Sequence, residues 1–120
     1  MEQVNQQTLQ HEFSIEGVGL HTGVKTKMVV KPASAGFGVK FQRVDLPEQP
    51  IIKADVDYVV DTSRGTTLEY QGARVYTVEH ILSALTGLGV DNVLIELDAE
   101  EIPIMDGSAK AFVDQIEKVG

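Results

Sequence analysis

Hydrophobic and polar residues alternate along the first two-thirds of the chain, and the period lengthens towards 3.6 in the last third. Alternation marks a half-buried strand, because successive side chains of an extended backbone point to opposite faces. Leu9, Phe13 and Ile15 fall on one face of a strand predicted over 8–15. Gly17 and Gly19 are expected to interrupt it. Val24, Thr26, Met28 and Val30 alternate in a second strand that stops at Pro32. A Ser-Ala-Gly turn leads to Phe37, Val39 and Phe41, a polar break covers 45–50, and 51–60 is mostly strand-like. Segments 66–70 and 73–76 flank Gln71-Gly72 and predict a hairpin.

At Val78 the pattern changes. Val78, Ile81, Leu82, Leu85 and Leu88 form a helical apolar stripe, with Thr77 as the expected N-cap and Gly87 and Gly89 as terminators. Residues 92–97 contain Val-Leu-Ile and read as a buried strand. Ser108 is the expected N-cap of a second helix whose inner face carries Phe112, Val113, Ile116 and Val119. Several strands followed by helix, strand and helix predict an α+β two-layer sandwich, a mainly antiparallel sheet with both helices packed on one face.

Composition narrows the classes. One chain of 120 residues makes a single domain, and at that size about two-thirds of the unfolded surface can be buried. Apolar residues are 42% and charged residues 23%, which argues against disorder throughout. Ten Lys and Arg against 18 Asp and Glu give a net charge of −8. So acidic a chain is not expected to bind nucleic acid or an anionic membrane surface. Without cysteine there is no disulfide, thiolate zinc site or Cys nucleophile. No apolar run is long enough to span a bilayer and no secretory signal is visible, so the expected location is cytoplasmic.

The candidate chemistry centres on Glu79-His80, just inside the expected cap. The bland reading is a carboxylate complementing the helix dipole beside a surface or core histidine. The sharper one is a metal-ligating histidine beside a carboxylate base, since such a base can take a proton from water at a zinc centre. A catalytic zinc normally needs three protein ligands. The histidines are His11, His21 and His80, without HxxH or HxxxH spacing. Either these three gather, or the site is completed from outside the chain. The glycine-rich 17–23 stretch reads as a bulged hairpin connection or as a loop shaped around a ligand, displaying Leu20 and His21. Residues 62–67 read as a polar loop or as donors for an oxygen-rich ligand. Asp91-Asn92 and Asp106-Gly107-Ser108 read as turns.

Three segments carry a resemblance: Gly17-Val-Gly-Leu-His-Thr-Gly23, Thr77-Val-Glu-His-Ile-Leu-Ser-Ala-Leu-Thr-Gly-Leu-Gly-Val-Asp-Asn92 and Ile102-Pro-Ile-Met-Asp-Gly-Ser108. In order and spacing they resemble the zinc-dependent UDP-3-O-acyl-N-acetylglucosamine deacetylases of bacterial lipid A synthesis. With Thr66-Thr67-Leu68 the likeness covers nearly the whole chain. Enzymes of that family have two similar α+β domains with the active site between them, and residues 1–120 resemble the N-terminal domain alone. The resemblance implies that His80 is a zinc ligand and Glu79 the general base. It also implies that a His and an Asp completing the Zn²⁺ site, and a further catalytic His and Lys, belong to a C-terminal domain absent from this chain. By the same resemblance Leu20 and His21 lie near the substrate, and Thr62, Thr66 and Thr67 beside the cleft. Arg64 and Gly65 depart from the family's pattern.

The function this resemblance implies is that of a half-enzyme. The expected substrate is UDP-3-O-acyl-N-acetylglucosamine and the expected partner is the missing C-terminal domain. The isolated chain is expected to be an inactive monomer that self-associates weakly when concentrated. The alternative is a non-catalytic binding module on the same fold. In some bacteria this deacetylase is fused to a dehydratase, and nothing in the 120 residues decides for or against that.

Overall fold

The computed structural model describes residues 7–19, 21–61, 66–104 and 110–119. The element order is β1 (Phe13–Gly19), β2 (Lys25–Pro32), β3 (Val39–Arg43), β4 (Ile51–Lys53), a 3-10 turn (Val56–Tyr58), β5 (Val59–Asp61), β6 (Thr67–Tyr70), β7 (Ala73–Val75), α1 (Glu79–Gly87), β8 (Val93–Leu97), β9 (Pro103–Ile104) and α2 (Lys110–Val119). A six-stranded sheet runs β4-β3-β8-β2-β1-β9, and β5-β6-β7 form a smaller one. Among these strands every pairing is antiparallel except β3 with β8. The α+β class with a mainly antiparallel sheet is as expected, but the strands divide between two sheets.

Cross-strand register accounts for the clear alternation. Ile52 faces Phe41, Phe41 faces Ile95, Ile95 faces Val30 and Val30 faces Phe13, so one apolar row crosses five strands. Met28, flanked by Ile15 and Leu97, lies in the next row. A one-residue slip in any strand would turn its apolar set to the other face. Ile81, Ala84 and Leu85 of α1 and Phe112 and Ile116 of α2 complete the same buried cluster.

Several local expectations are corrected. β1 begins at Phe13, and Thr8 makes only an isolated parallel bridge to Asn92. Gly17 and Gly19 do not interrupt β1 but lie within it, paired to β2 and β9. The 51–60 stretch is not one strand, because Asp55 breaks it. Its carboxylate accepts the Asp57 N–H (3.0 Å) and its carbonyl the Tyr58 N–H (3.0 Å), a local alternative to strand pairing that Asp side chains favour. The Gln71-Gly72 hairpin is present, with both residues at positive φ (52° and 82°), as a tight turn of matching twist requires. Leu88 is not on the buried stripe. It is the exposed C-cap of α1, and Gly89 at φ 70° closes the helix with Gly89 N–H on Thr86 O and Val90 N–H on Leu85 O. No helix among the described residues is long and apolar enough to cross a membrane.

Candidate active site at the start of α1

Four segments meet at the N-terminus of α1. Tyr76 pairs with Glu101 in a parallel bridge: its N–H donates to Glu100 O (2.7 Å), and Ile102 N–H donates to Tyr76 O (3.1 Å). Thr77 then turns into the left-handed region at φ 63°, an uncommon and costly conformation for a β-branched residue. The N-cap is Val78, which makes no side-chain capping bond. Thr77 is therefore not the cap that its sequence position suggests. Its hydroxyl instead donates to Glu101 Oε2 (2.7 Å) in a buried contact.

Glu101 is the residue that sequence reasoning missed. It is fully buried, and its carboxylate takes the His21 N–H on both oxygens (3.0 and 3.1 Å), the Thr22 N–H (2.8 Å) and the Thr77 hydroxyl. Burial pushes this carboxyl up. The bonds from Thr22, Thr77 and His21 more than offset that and hold it below the usual 4.5. The signal available in the sequence was indirect. A glycine-rich loop presents bare N–H groups and needs an acceptor, and Glu100-Glu101 sits between a strand and Ile-Pro with no visible cation beside it.

The two candidate reacting side chains come directly after this turn. Glu79 opens α1, and its Oε1 accepts the Thr66 N–H (2.9 Å), while Thr66 O accepts the Val78 N–H (3.2 Å). Thr66 thus brackets the helix start with its main chain. Glu79 Oε2 lies 3.8 Å from His80 Nε2, and both side chains are a little over one-third exposed. One oxygen is anchored and the other lies near a partly exposed imidazole. That arrangement suits a positioned base beside a ligand atom.

The other expected site residues divide. His21 is exposed on the β1–β2 connection, held by its own N–H. Thr66 is half-buried and contributes its backbone. Thr67 is 5% exposed, in β6. Leu20, Thr62, Arg64, Gly65 and the 106–108 turn lie outside the described residues. His11 and His21 do not join His80, for the described residues contain no group of three His, Asp or Glu placed to hold a metal. The self-contained three-histidine site is thereby set aside. Among the described residues, what stands at the start of α1 for a zinc ion is one imidazole with an adjacent carboxylate, a fit for part of a site.

By fold the chain is an α+β domain, with a carboxylate anchored by a backbone N–H beside a partly exposed imidazole on its first helix turn. Over residues 6–120 it matches UDP-3-O-acyl N-acetylglycosamine deacetylase, and the chain belongs to that family. It is 49% identical over 116 residues to a UDP-3-O-acyl-N-acetylglucosamine deacetylase of Myxococcus xanthus, covering 97% of this chain and 37% of that protein. It is 50% identical over 117 residues to the enzyme of that name from Saccharophagus degradans (98% and 39%). It is 48% identical over 117 residues to a bifunctional enzyme LpxC/FabZ of Bacteroides thetaiotaomicron (98% and 25%). The chain therefore spans between a quarter and two-fifths of the length of these relatives.

Proposed function

We propose that residues 1–120 form the N-terminal domain of a cytoplasmic zinc-dependent deacetylase that hydrolyses the acetamide of UDP-3-O-acyl-N-acetylglucosamine in lipid A biosynthesis. The products are acetate and a free glucosamine amine. Family membership supports the reaction, and the Glu79–His80 geometry is the observation that carries the assignment of roles.

Glu79 is the general base. Its Oε1 is occupied by the Thr66 N–H, so Oε2 takes the proton from the water that attacks the acetamide carbonyl. The bond from Thr66 fixes the carboxylate plane, which leaves little reorganisation for the proton transfer. His80, on the first turn of α1 beside Glu79, is a zinc ligand through its imidazole. Zinc, when bound, supplies Lewis-acid polarisation and a lowered water pKa. The remaining ligands, a His and an Asp, and the groups that help the amine leave come from a second domain outside these 120 residues. His21, Leu20, Thr62 and Thr66 line the substrate side of the cleft in this reading, Thr66 through its main chain, with Thr67 buried directly after Thr66 in the chain. The diphosphate contacts fall mostly on the other domain, since this one carries a net charge of −8.

The test is acetate release by a polypeptide of the relatives' full length that contains this chain. Glu79→Gln should lower kcat by about 10²–10⁴-fold, the usual worth of a general base. The isolated chain with added zinc should release no acetate. A Glu79→Gln enzyme with unchanged kcat would reject the assignment.

A further inference from the structure

Two residues near the site sit where local preference would not put them. Glu101 is a fully buried carboxylate whose partners are neutral donors, and Thr77 is a β-branched residue at φ 63°. A buried charge is costly unless its hydrogen bonds are specific and complete. Gly or Asn would take the left-handed turn at less cost than Thr. One contact accounts for both oddities, the Thr77 hydroxyl on Glu101 Oε2.

We infer that Glu101 is a positioning residue for Glu79 and His80: its carboxylate locks the Thr77 turn that aims the first turn of α1 and ties the His21 loop to the same point. The inference rests on the proposed roles of Glu79 and His80. Reacting groups must be held to about 0.5 Å and 10–20°, and the backbone direction two residues before Glu79 is set at Thr77. The residues that follow the turn are held by Thr66, through the Val78 N–H and Glu79 Oε1. Glu101 thus holds Thr77, and Thr66 holds the two residues after it. Gly19 leaves room for this grip, since a Cβ there would collide with Glu101 Oε1 and lie 2.9 Å from Glu101 Cδ.

The experiment has two readouts. In the isolated chain, amide hydrogen exchange is followed by NMR in Glu101→Gln, which keeps the volume but turns one acceptor into a donor. Exchange at His21, Thr22 and Thr66 should quicken about tenfold or more, the scale of one lost bond to a charged acceptor. Val30 and Ile95 in the sheet core should stay protected. In a polypeptide of the family's full length, Glu101→Gln should lower kcat about 10–100-fold, as loss of a supporting contact does, with KM within about threefold. Thr77→Gly, which keeps the turn but removes the hydroxyl, should act in the same direction, and Thr77→Ser should restore it. Should Glu101→Gln fail to fold, the Thr77 pair decides the matter alone. Quicker exchange confined to His21 and Thr22, with kcat unmoved, would make Glu101 a loop staple and overturn the inference. Glu79→Gln, run beside these, separates the readings. Full turnover there would defeat the proposed chemistry, while Thr66 exchange would still report whether Glu101 governs the helix start.

Discussion

Gly19→Ala tests the crowding around Glu101 most directly. The φ of Gly19 lies outside the left-handed region, so alanine would meet no backbone strain there. Space is the obstacle. The new methyl would collide with Glu101 Oε1, lie 2.7 Å from Thr22 Oγ1 and lie 2.9 Å from Glu101 Cδ, where ordinary contact begins at 3.4 Å. The carboxylate must therefore retreat by half an ångström or more, which stretches the 2.8 Å bond from Thr22 and the 3.0 Å bond from His21. Overpacking costs about 1–3 kcal/mol, and weakening bonds to a charged acceptor adds a cost on the order of 1–2 kcal/mol. A total near 3 kcal/mol in a chain of this size should lower Tm by about 12 °C. Thermal unfolding followed by circular dichroism measures it. Combined with Glu101→Ala, the same alanine should cost clearly less, because two of the three atoms it strikes are gone and only Thr22 Oγ1 remains. A Tm loss under about 3 °C for Gly19→Ala, or additive losses in the double variant, would refute the reasoning.

Three further outcomes are expected. Leu85→Ala, at a site 1% exposed in the helix–sheet core, should cost about 2–5 kcal/mol in urea unfolding. Glu101 is held below its ordinary value in the folded state, so its contribution is complete above pH 4.5 and is lost as pH falls through the lowered value. The urea midpoint should therefore fall less steeply with acid in Glu101→Gln than in the parent chain. Zinc should bind the isolated chain weakly or not at all in competition with a chelating dye, whereas tight one-to-one binding abolished by His80→Ala would mean that the chain completes its own site.

The sheet and both helices are legible in the sequence because each has one apolar face, and the 2.0 and 3.6 periods record which residues point inwards. Phe41, Val30 and Phe13 can be picked out from alternation, and Ile95 from its apolar run, without knowledge of their register. The division into two sheets is not legible. It depends on Asp55 breaking the 51–60 run with its own side chain and on pairings between distant segments, neither of which has a period. Glu79-His80 stands out through motif and helix position. The grip on it does not, since Glu101 is 22 residues from Glu79 in the chain and acts on main-chain N–H groups that every loop possesses. Thr77 misleads for a related reason. A hydroxyl before a helix is normally a cap, but a buried carboxylate competes for it and wins.

That main-chain character makes a last prediction about Thr66. Its N–H, not its side chain, holds Glu79 Oε1, and its carbonyl takes the Val78 N–H. Side-chain identity at this position should therefore matter little to the helix start, and the donor should matter a great deal. Thr66→Ala should change stability by less than about 0.5 kcal/mol, as substitutions away from such features do. Thr66→Pro removes the N–H and leaves one carboxylate oxygen without its donor, a loss of about 1.5–3 kcal/mol for a bond to a charged group. Urea unfolding of the two variants against Glu79→Gln/Thr66→Pro separates the terms, because proline should cost less once the carboxylate is gone. Equal losses for alanine and proline would show that Glu79 is aimed by something other than the Thr66 backbone, and the carboxylate's fixed plane would then need another source.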